Sequence, residues 1–144
     1  MKPENNIERF VEAQHSPFCG YNRALQEMQS GRKISHWIWY IFPQLRGLGH
    51  SMNSYFYGIA DADEARNYLN HPVLGVRLRE ITTALLAHSD KNTFAIFGPV
   101  DSQKVCSSMT LFDAVCPNDI FARVLDIFYK GARCQYTLKM LANE

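Results

Sequence analysis

The chain has 144 residues, 47% of them hydrophobic and 20% charged, with 15 Lys and Arg against 14 Asp and Glu. That length suits a single domain over residues 1–144 and can bury roughly two thirds of the surface exposed on unfolding, so no metal or disulfide staple is needed. The ordinary apolar share and a net charge of +1 exclude a disordered chain, and they exclude nucleic-acid binding driven by bulk positive charge.

The first residues, MKPENNIERF, place acids and amides where a signal peptide needs an apolar core, so export is not expected. The longest apolar run, Trp37 to Phe42, has six residues against the ~20 needed to cross a bilayer. Cys19, Cys106, Cys116 and Cys134 form no C-x-x-C pair, and His15, His36, His50, His71 and His88 do not cluster with them. A cytoplasmic, metal-free protein without cofactor is the expectation, its cysteines buried or half-buried thiols.

In chain order, Ile7, Phe10, Val11 and Gln14 predict a first helix from about Asn5 to Gln14, ended by His15-Ser16-Pro17. A second is expected from Tyr21 to Gln29, with Leu25 and Met28 inward and Gly31 as its stop. Asp61-Ala-Asp-Glu64 reads as a capping box in which the Glu64 side chain reaches back, opening a helix to Asn70. His71-Pro72 restarts a helix with proline at its first position. Val73, Val76, Leu78, Ile81, Leu85 and Leu86 give it a broad apolar face as far as His88.

Phe94 to Phe97, stopped by Gly98-Pro99, is either a brief helix or an isolated strand. Helical spacing returns from Asp101 to Val115. Pro117-Asn118-Asp119 caps a further helix with Phe121, Val124, Leu125 and Phe128 inward, and a last helix carries Tyr136, Leu138 and Leu141. Strand alternation is nearly absent. The fold class is therefore mainly α, a compact helical domain of about six to eight helices with little or no sheet.

Two segments are richer in unusual residues than packing requires. Lys33 to Ser51 holds both tryptophans, a proline stop and a Gly47-x-Gly49 loop; Ser35 is a natural N-cap and Pro43 ends the helix. The bland interpretation is a short core helix buried all round. The functional one makes Trp37 or Trp39 an aromatic wall, with Ser35, His36, Gln44, Arg46 or Ser51 supplying polar contacts. In the second segment, Asp101, Lys104 and Ser108 fall on one stripe bordering the apolar stripe of Val105, Met109 and Phe112, whereas Ser107 and Thr110 point elsewhere. Either Asp101 and Lys104 form an i, i+3 ion pair, or Lys104 contacts an anion with Ser108 donating beside it. His71 and His88 are helix-end caps on this count, and His15 and His50 are loop residues. Signatures of serine hydrolases, phosphate loops, metalloproteases and kinases are missing.

Three runs carry a family likeness. They are Lys33-Ile-Ser-His-Trp-Ile-Trp-Tyr-Ile-Phe-Pro-Gln-Leu-x-Gly-Leu-Gly-x-Ser, Glu64-Ala-Arg-x-Tyr-Leu-x-His-Pro-Val-Leu-Gly-x-Arg-Leu78 and Lys104-x-x-Ser-Ser-Met-Thr-Leu-Phe. With them the chain resembles the bacterial domain of unknown function 1810 family, often labelled calpastatin, a misnomer. The likeness runs from about Ile7 to Leu141. It implies a compact helical fold and brings no activity, hence no catalytic residues.

The expected function is binding of, with action on left open, a small anionic or nucleotide-like ligand between the Trp37–Ser51 segment and the Asp101–Ser108 helix. A non-catalytic module docking a partner protein through exposed aromatics, extended by Tyr55-Phe56-Tyr57, is the alternative.

Overall fold

In the computed structural model, which describes residues 6–144, capping side chains set several helix starts. The Asp61 carboxylate accepts the Glu64 amide at 2.9 Å, Asn92 accepts that of Ala95 at 2.9 Å, and Asp119 accepts that of Ile120 at 2.6 Å. Each satisfies an amide that the first helical turn leaves without a partner. Among the described residues the helices are α1 Glu8–Gln14, α2 Tyr21–Ser30, α3 Ile38–Ile41, α4 Met52–Phe56, α5 Ala62–Asn70, α6 Leu74–Leu86, α7 Thr93–Val115, α8 Ile120–Phe128 and α9 Gln135–Ala142.

The fold is mainly helical. The expected start of the first helix at Asn5 lies outside the described residues. Among those described, nine helices replace the expected six to eight, because α3 and α4 are one-turn pieces below the reach of a periodicity count. Among the described residues the one strand-like feature is an isolated bridge between Leu45 and Ile59. It is held by the Arg46 amide on the Ile59 carbonyl at 2.8 Å and the Ile59 amide on the Gln44 carbonyl at 2.9 Å.

α7 packs against α5, α8 and α9, while α6 packs against α2, α5 and α8. Rings run through the middle: Phe10 on Tyr68 at 5.1 Å, Tyr68 on Phe112 at 5.5 Å, and Phe112 on Phe121 at 5.6 Å between centroids. This tilted and edge-on geometry suits the ring quadrupoles, and it joins α1 to α8 through α5 and α7. Phe94 to Phe97 is helix, forming the first turns of α7, which breaks at Gly98 (φ 81°, ψ 167°).

Some expectations need correction. Pro72 is not the first helical residue: α6 starts at Leu74, and His71 Nδ1 accepts the Val73 and Leu74 amides at 3.1 and 3.2 Å. Val76 is 64% exposed, since Leu74, Leu78, Ile81 and Leu85 form the inner face and Val76 lies opposite. The Glu64 side chain reaches back one residue further than a capping box, to the Ala60 amide at 2.9 Å. It is held there by Arg9, whose two terminal nitrogens each donate to one Glu64 oxygen at 2.9 Å. The His88 ring caps the end of α2 rather than its own helix, donating from Nε2 to the Met28 carbonyl at 2.8 Å.

Arg9 also fixes the loop that carries α4. Its Nε donates to the Phe56 carbonyl and Nη2 to the Gly58 carbonyl, each at 2.8 Å. With the Leu45–Ile59 bridge, this clamp closes the loop at its base and so positions Gln44 to Gly49.

Candidate functional site

The Trp-rich segment is placed by a buried carboxylate. Glu27, in the last turn of α2, accepts from the Ile34 amide (2.7 Å), the Ser35 amide (2.9 Å), the Ser35 hydroxyl (2.7 Å) and Trp37 Nε1 (2.9 Å). Ser35 is therefore a ligand of Glu27 and not the N-cap of the following helix, whose cap position is Trp37, with no capping bond from its side chain to that helix. That helix, α3, covers only Ile38–Ile41. Trp37 is fully enclosed, so it offers no face for stacking. Trp39, two residues on, is partly exposed, as expected when residues two apart face different ways on a helix.

Lys104 meets the Trp segment in space. Its Nζ lies 5.1 Å from the centre of the Trp39 ring, close enough for a cation–π attraction. It also pairs with Asp101 at 3.3 Å, so the i, i+3 ion pair forms. Asp101 has a second, shorter partner, Lys33 Nζ at 2.8 Å. Lys33 in turn donates to the Ser35 carbonyl at 2.6 Å, and its amide donates to the Ile96 carbonyl at 2.7 Å across the break in α7. One carboxylate thus answers two ammonium groups, leaving the cluster with a surplus positive charge.

Between the two segments runs a groove of about 610 Å3. Gln44, Leu48 and Gly49 line one side and Val100, Gln103, Lys104 and Ser107 the other. Cys134 to Tyr136, at the start of α9, close one end. Of the predicted site residues, the structure brings Gln44 and Lys104 together in this groove, with Trp39 and Asp101 against Lys104. The remaining predicted residues have other surroundings. His36 is exposed. Arg46 Nε donates to the Tyr55 carbonyl at 2.9 Å. The Ser51 hydroxyl caps α4 by accepting the Ser54 amide at 3.0 Å. Ser108 is enclosed in the core, its hydroxyl without a hydrogen-bond partner.

The family model described as "Protein of unknown function (DUF1810)" matches residues 4–141. The chain belongs to the DUF1810 family. This DUF1810 chain is similar in structure to the conserved hypothetical protein Rv1873 from Mycobacterium tuberculosis. The TM-score is 0.90 at 42% identity, covering 94% of this chain and 96% of that one. No curated protein matches it.

Sequence reasoning missed the α9 side of the DUF1810 groove. Ser107, expected to point elsewhere, lines it, because α7 is buried all round from Ser107 to Phe112 and α9 covers the side that a single apolar stripe would leave to solvent. Thr110 also faces α9: its hydroxyl donates to the Cys106 carbonyl at 2.8 Å and accepts the Cys134 amide at 3.0 Å. Nothing in the sequence announced Cys134 or Tyr136 as neighbours of Lys104, since the contact is made by tertiary packing alone. Burial pushes the Cys134 thiol up, but the Ser107 hydroxyl and the α9 amides of Tyr136 and Thr137 outweigh it and hold it below the usual thiol range. Burial pushes the Cys106 thiol up, with the neighbouring Cys134 adding to it.

Among the described residues, no three His, Cys, Asp or Glu side chains are grouped to hold a metal ion, and no helix is long and apolar enough to cross a membrane.

Proposed function

We propose that the groove binds a small ligand with one anionic group, the anion on Lys104 and the rest along Leu48, Val100 and Tyr136. The observation that carries this reading is the position of Lys104, over Trp39 and at the wall of a groove built from both unusual segments. Asp101 is shared between Lys33 and Lys104, so the Lys104 ammonium is not fully neutralised and its side chain is 23% exposed. A mainly apolar cleft with a few placed polar groups is the usual form of a small-molecule site. Tyr136, 73% exposed, supplies the accessible ring that enclosed Trp37 cannot, and it suits a planar, nucleotide-like group. We place the protein in the cytoplasm, where such metabolites meet the reducing conditions that keep its four cysteines free.

The alternative, docking of a partner protein on exposed aromatics, keeps Tyr55 and Phe56, 44% and 45% exposed, but not the tryptophans, since Trp37 is enclosed and Trp39 lies beneath Lys104.

The test is a thermal-shift screen of nucleotides, sugar phosphates and dinucleotides, followed by calorimetry. A ligand at about 100 times its dissociation constant stabilises by about 2.7 kcal/mol, a shift of several degrees. Lys104→Ala should weaken the hit roughly tenfold, the loss of a charged hydrogen bond. Arg123→Ala, on the separate hollow beside α8, should leave it unchanged. A silent library, or a hit indifferent to Lys104→Ala, overturns the reading.

A further inference from the structure

Two of the four cysteines share the wall of the groove. Cys106 comes from α7 and Cys134 immediately precedes α9; both are partly exposed and unbridged. One hydroxyl joins their backbones. Thr110 Oγ1 donates to the Cys106 carbonyl at 2.8 Å and accepts the Cys134 amide at 3.0 Å, so those two backbone atoms are at most two hydrogen-bond lengths apart. A disulfide between them requires the two Cα atoms to come within about 7 Å, which the linked peptide sought below tests directly.

The two sulfurs are placed differently. Cys134 Sγ lies 3.4 Å from the Ser107 hydroxyl, which also approaches the Gln103 carbonyl at 3.1 Å. The first amides of α9, at Tyr136 and Thr137, favour the thiolate in the same direction. Hydrogen-bond donors stabilise a thiolate over a thiol, and the thiolate is the nucleophile. Lys104 adds positive charge to the same groove. Cys106 is the less activated partner, its thiol held up by burial.

Neither remaining cysteine has this setting. Cys116 Sγ donates to Asp119 at 3.4 Å and accepts from Arg79 at 3.6 Å, outside the groove. Cys19 belongs to the turn before α2, where its carbonyl accepts the Tyr40 hydroxyl at 2.6 Å.

We propose that Cys134 is the reactive thiol of the groove and Cys106 its resolving partner, so that a hydroperoxide converts the pair into a disulfide. The Cys134 thiolate attacks one peroxide oxygen. The O–O bond breaks, the departing alkoxide or hydroxide takes a proton from water, and sulfur is left as the sulfenic acid. Cys106 then loses its proton and attacks that sulfur, and the sulfenic oxygen leaves as hydroxide, which is protonated to water. Two thiols and one hydroperoxide give one disulfide, one alcohol (water, from hydrogen peroxide) and one water; the sulfurs are oxidised and the peroxide is reduced. This inference does not depend on the ligand proposed for the groove.

The test uses the full chain. Limiting iodoacetamide at neutral pH, followed by peptide mapping, should mark Cys134 several-fold ahead of Cys19, Cys106 and Cys116. Hydrogen peroxide should then remove two hydrogens from the intact mass and yield a linked Cys106–Cys134 peptide within one chain. Cys106→Ser should instead accumulate a dimedone-trapped sulfenic acid on Cys134, and Cys134→Ser should give neither product. Ser107→Ala should slow alkylation of Cys134 without changing the melting temperature of the reduced protein by more than a few degrees. Faster labelling of Cys19 or Cys116, a link between any other pair, or a sulfenic acid on Cys134 that persists in the unsubstituted protein overturns the proposal. The labelling order needs no variant, so misfolding of a substituted chain cannot rescue it.

Discussion

Trp37 Nε1 donates to Glu27 Oε1 at 2.9 Å, and this bond ties the largest fully buried side chain among the described residues to the end of α2. A carboxylate in the last turn of a helix sits at the unfavourable end of the helix dipole. Here the incoming chain supplies the compensation, in two amides, a hydroxyl and the indole, with Arg23 Nε adding a fifth donor at 2.9 Å. Glu27 thus orders the approach to α3, and through α3 it sets Trp39 beneath Lys104.

Glu27→Gln should therefore destabilise well beyond a surface change. The amide keeps the shape but turns one end into a donor facing donors, which costs about 2–3 kcal/mol for bonds to a charged group. Urea unfolding followed by tryptophan fluorescence checks this; a loss below about 0.5 kcal/mol, the range of ordinary surface substitutions, would refute it.

Acid should act through the same residue. Burial alone would raise the Glu27 pKa, but the bonds from Ser35, Ile34 and Trp37 outweigh it and bring it from 4.5 to about 2. The folded value lies below the unfolded one, so the unfolded chain binds more protons as the solution is acidified. The contribution is complete above about pH 4.5 and disappears as pH falls through about 2, worth about 3 kcal/mol in all. Glu64, lowered against burial by its Arg9 and Ala60 hydrogen bonds, adds to the trend in the same direction. Urea midpoints in Glu27→Gln should show a flatter slope between neutral and acid pH than in the unsubstituted protein.

Arg9 and Glu64 are both buried, with side chains 4% and 7% exposed. Arg9→Ala leaves the Glu64 charge, held by the Ala60 amide, without its cation, and the carbonyls of Phe56 and Gly58 without their donor. The cost should be about 3–5 kcal/mol, as for a broken buried pair. Replacing both residues by apolar ones of similar volume should cost less than the single change, a sign reversal that a double-mutant cycle in urea detects.

Gly75 lies in the first turn of α6, where alanine would ordinarily favour a helix by about 1 kcal/mol. A methyl group there would collide with the Leu69 carbonyl oxygen at the end of α5. Gly75→Ala should destabilise by about 2 kcal/mol or more, because a backbone atom cannot swing aside as a side chain can. A raised melting temperature would show that the α5–α6 corner opens more easily than its packing implies.

The elements legible in the sequence are those whose signals are local. Gly31 ends α2 with φ 80°, and Asp61 and Asp119 cap the helices that follow them, because a cap is settled within four residues of chain. The groove was half legible. Lys104 and Gln44 stand in segments that are unusual on their own, and the two do line one cleft. Its other end, from Cys134 to Tyr136, joins Ser107 only because α9 folds onto α7. Ser35 looked like a cap for the reason that made it useful elsewhere: a hydroxyl beside a chain turn serves whichever partner tertiary structure brings closest, and here that is Glu27.

Gly98 interrupts α7 at φ 81° and ψ 167°, yet a Cβ built there would meet nothing within 4 Å. The objection to a side chain at this point is one of handedness and not of room. An L-alanine is strained in that region of backbone space, whereas its mirror image reaches the same backbone as an ordinary extended residue. Gly98→Ala should therefore weaken the break, loosen the Lys33 docking that uses the freed Ile96 carbonyl and lower the melting temperature, although its methyl group has room. The meeting of the two unusual segments thus rests on a single stereochemical choice.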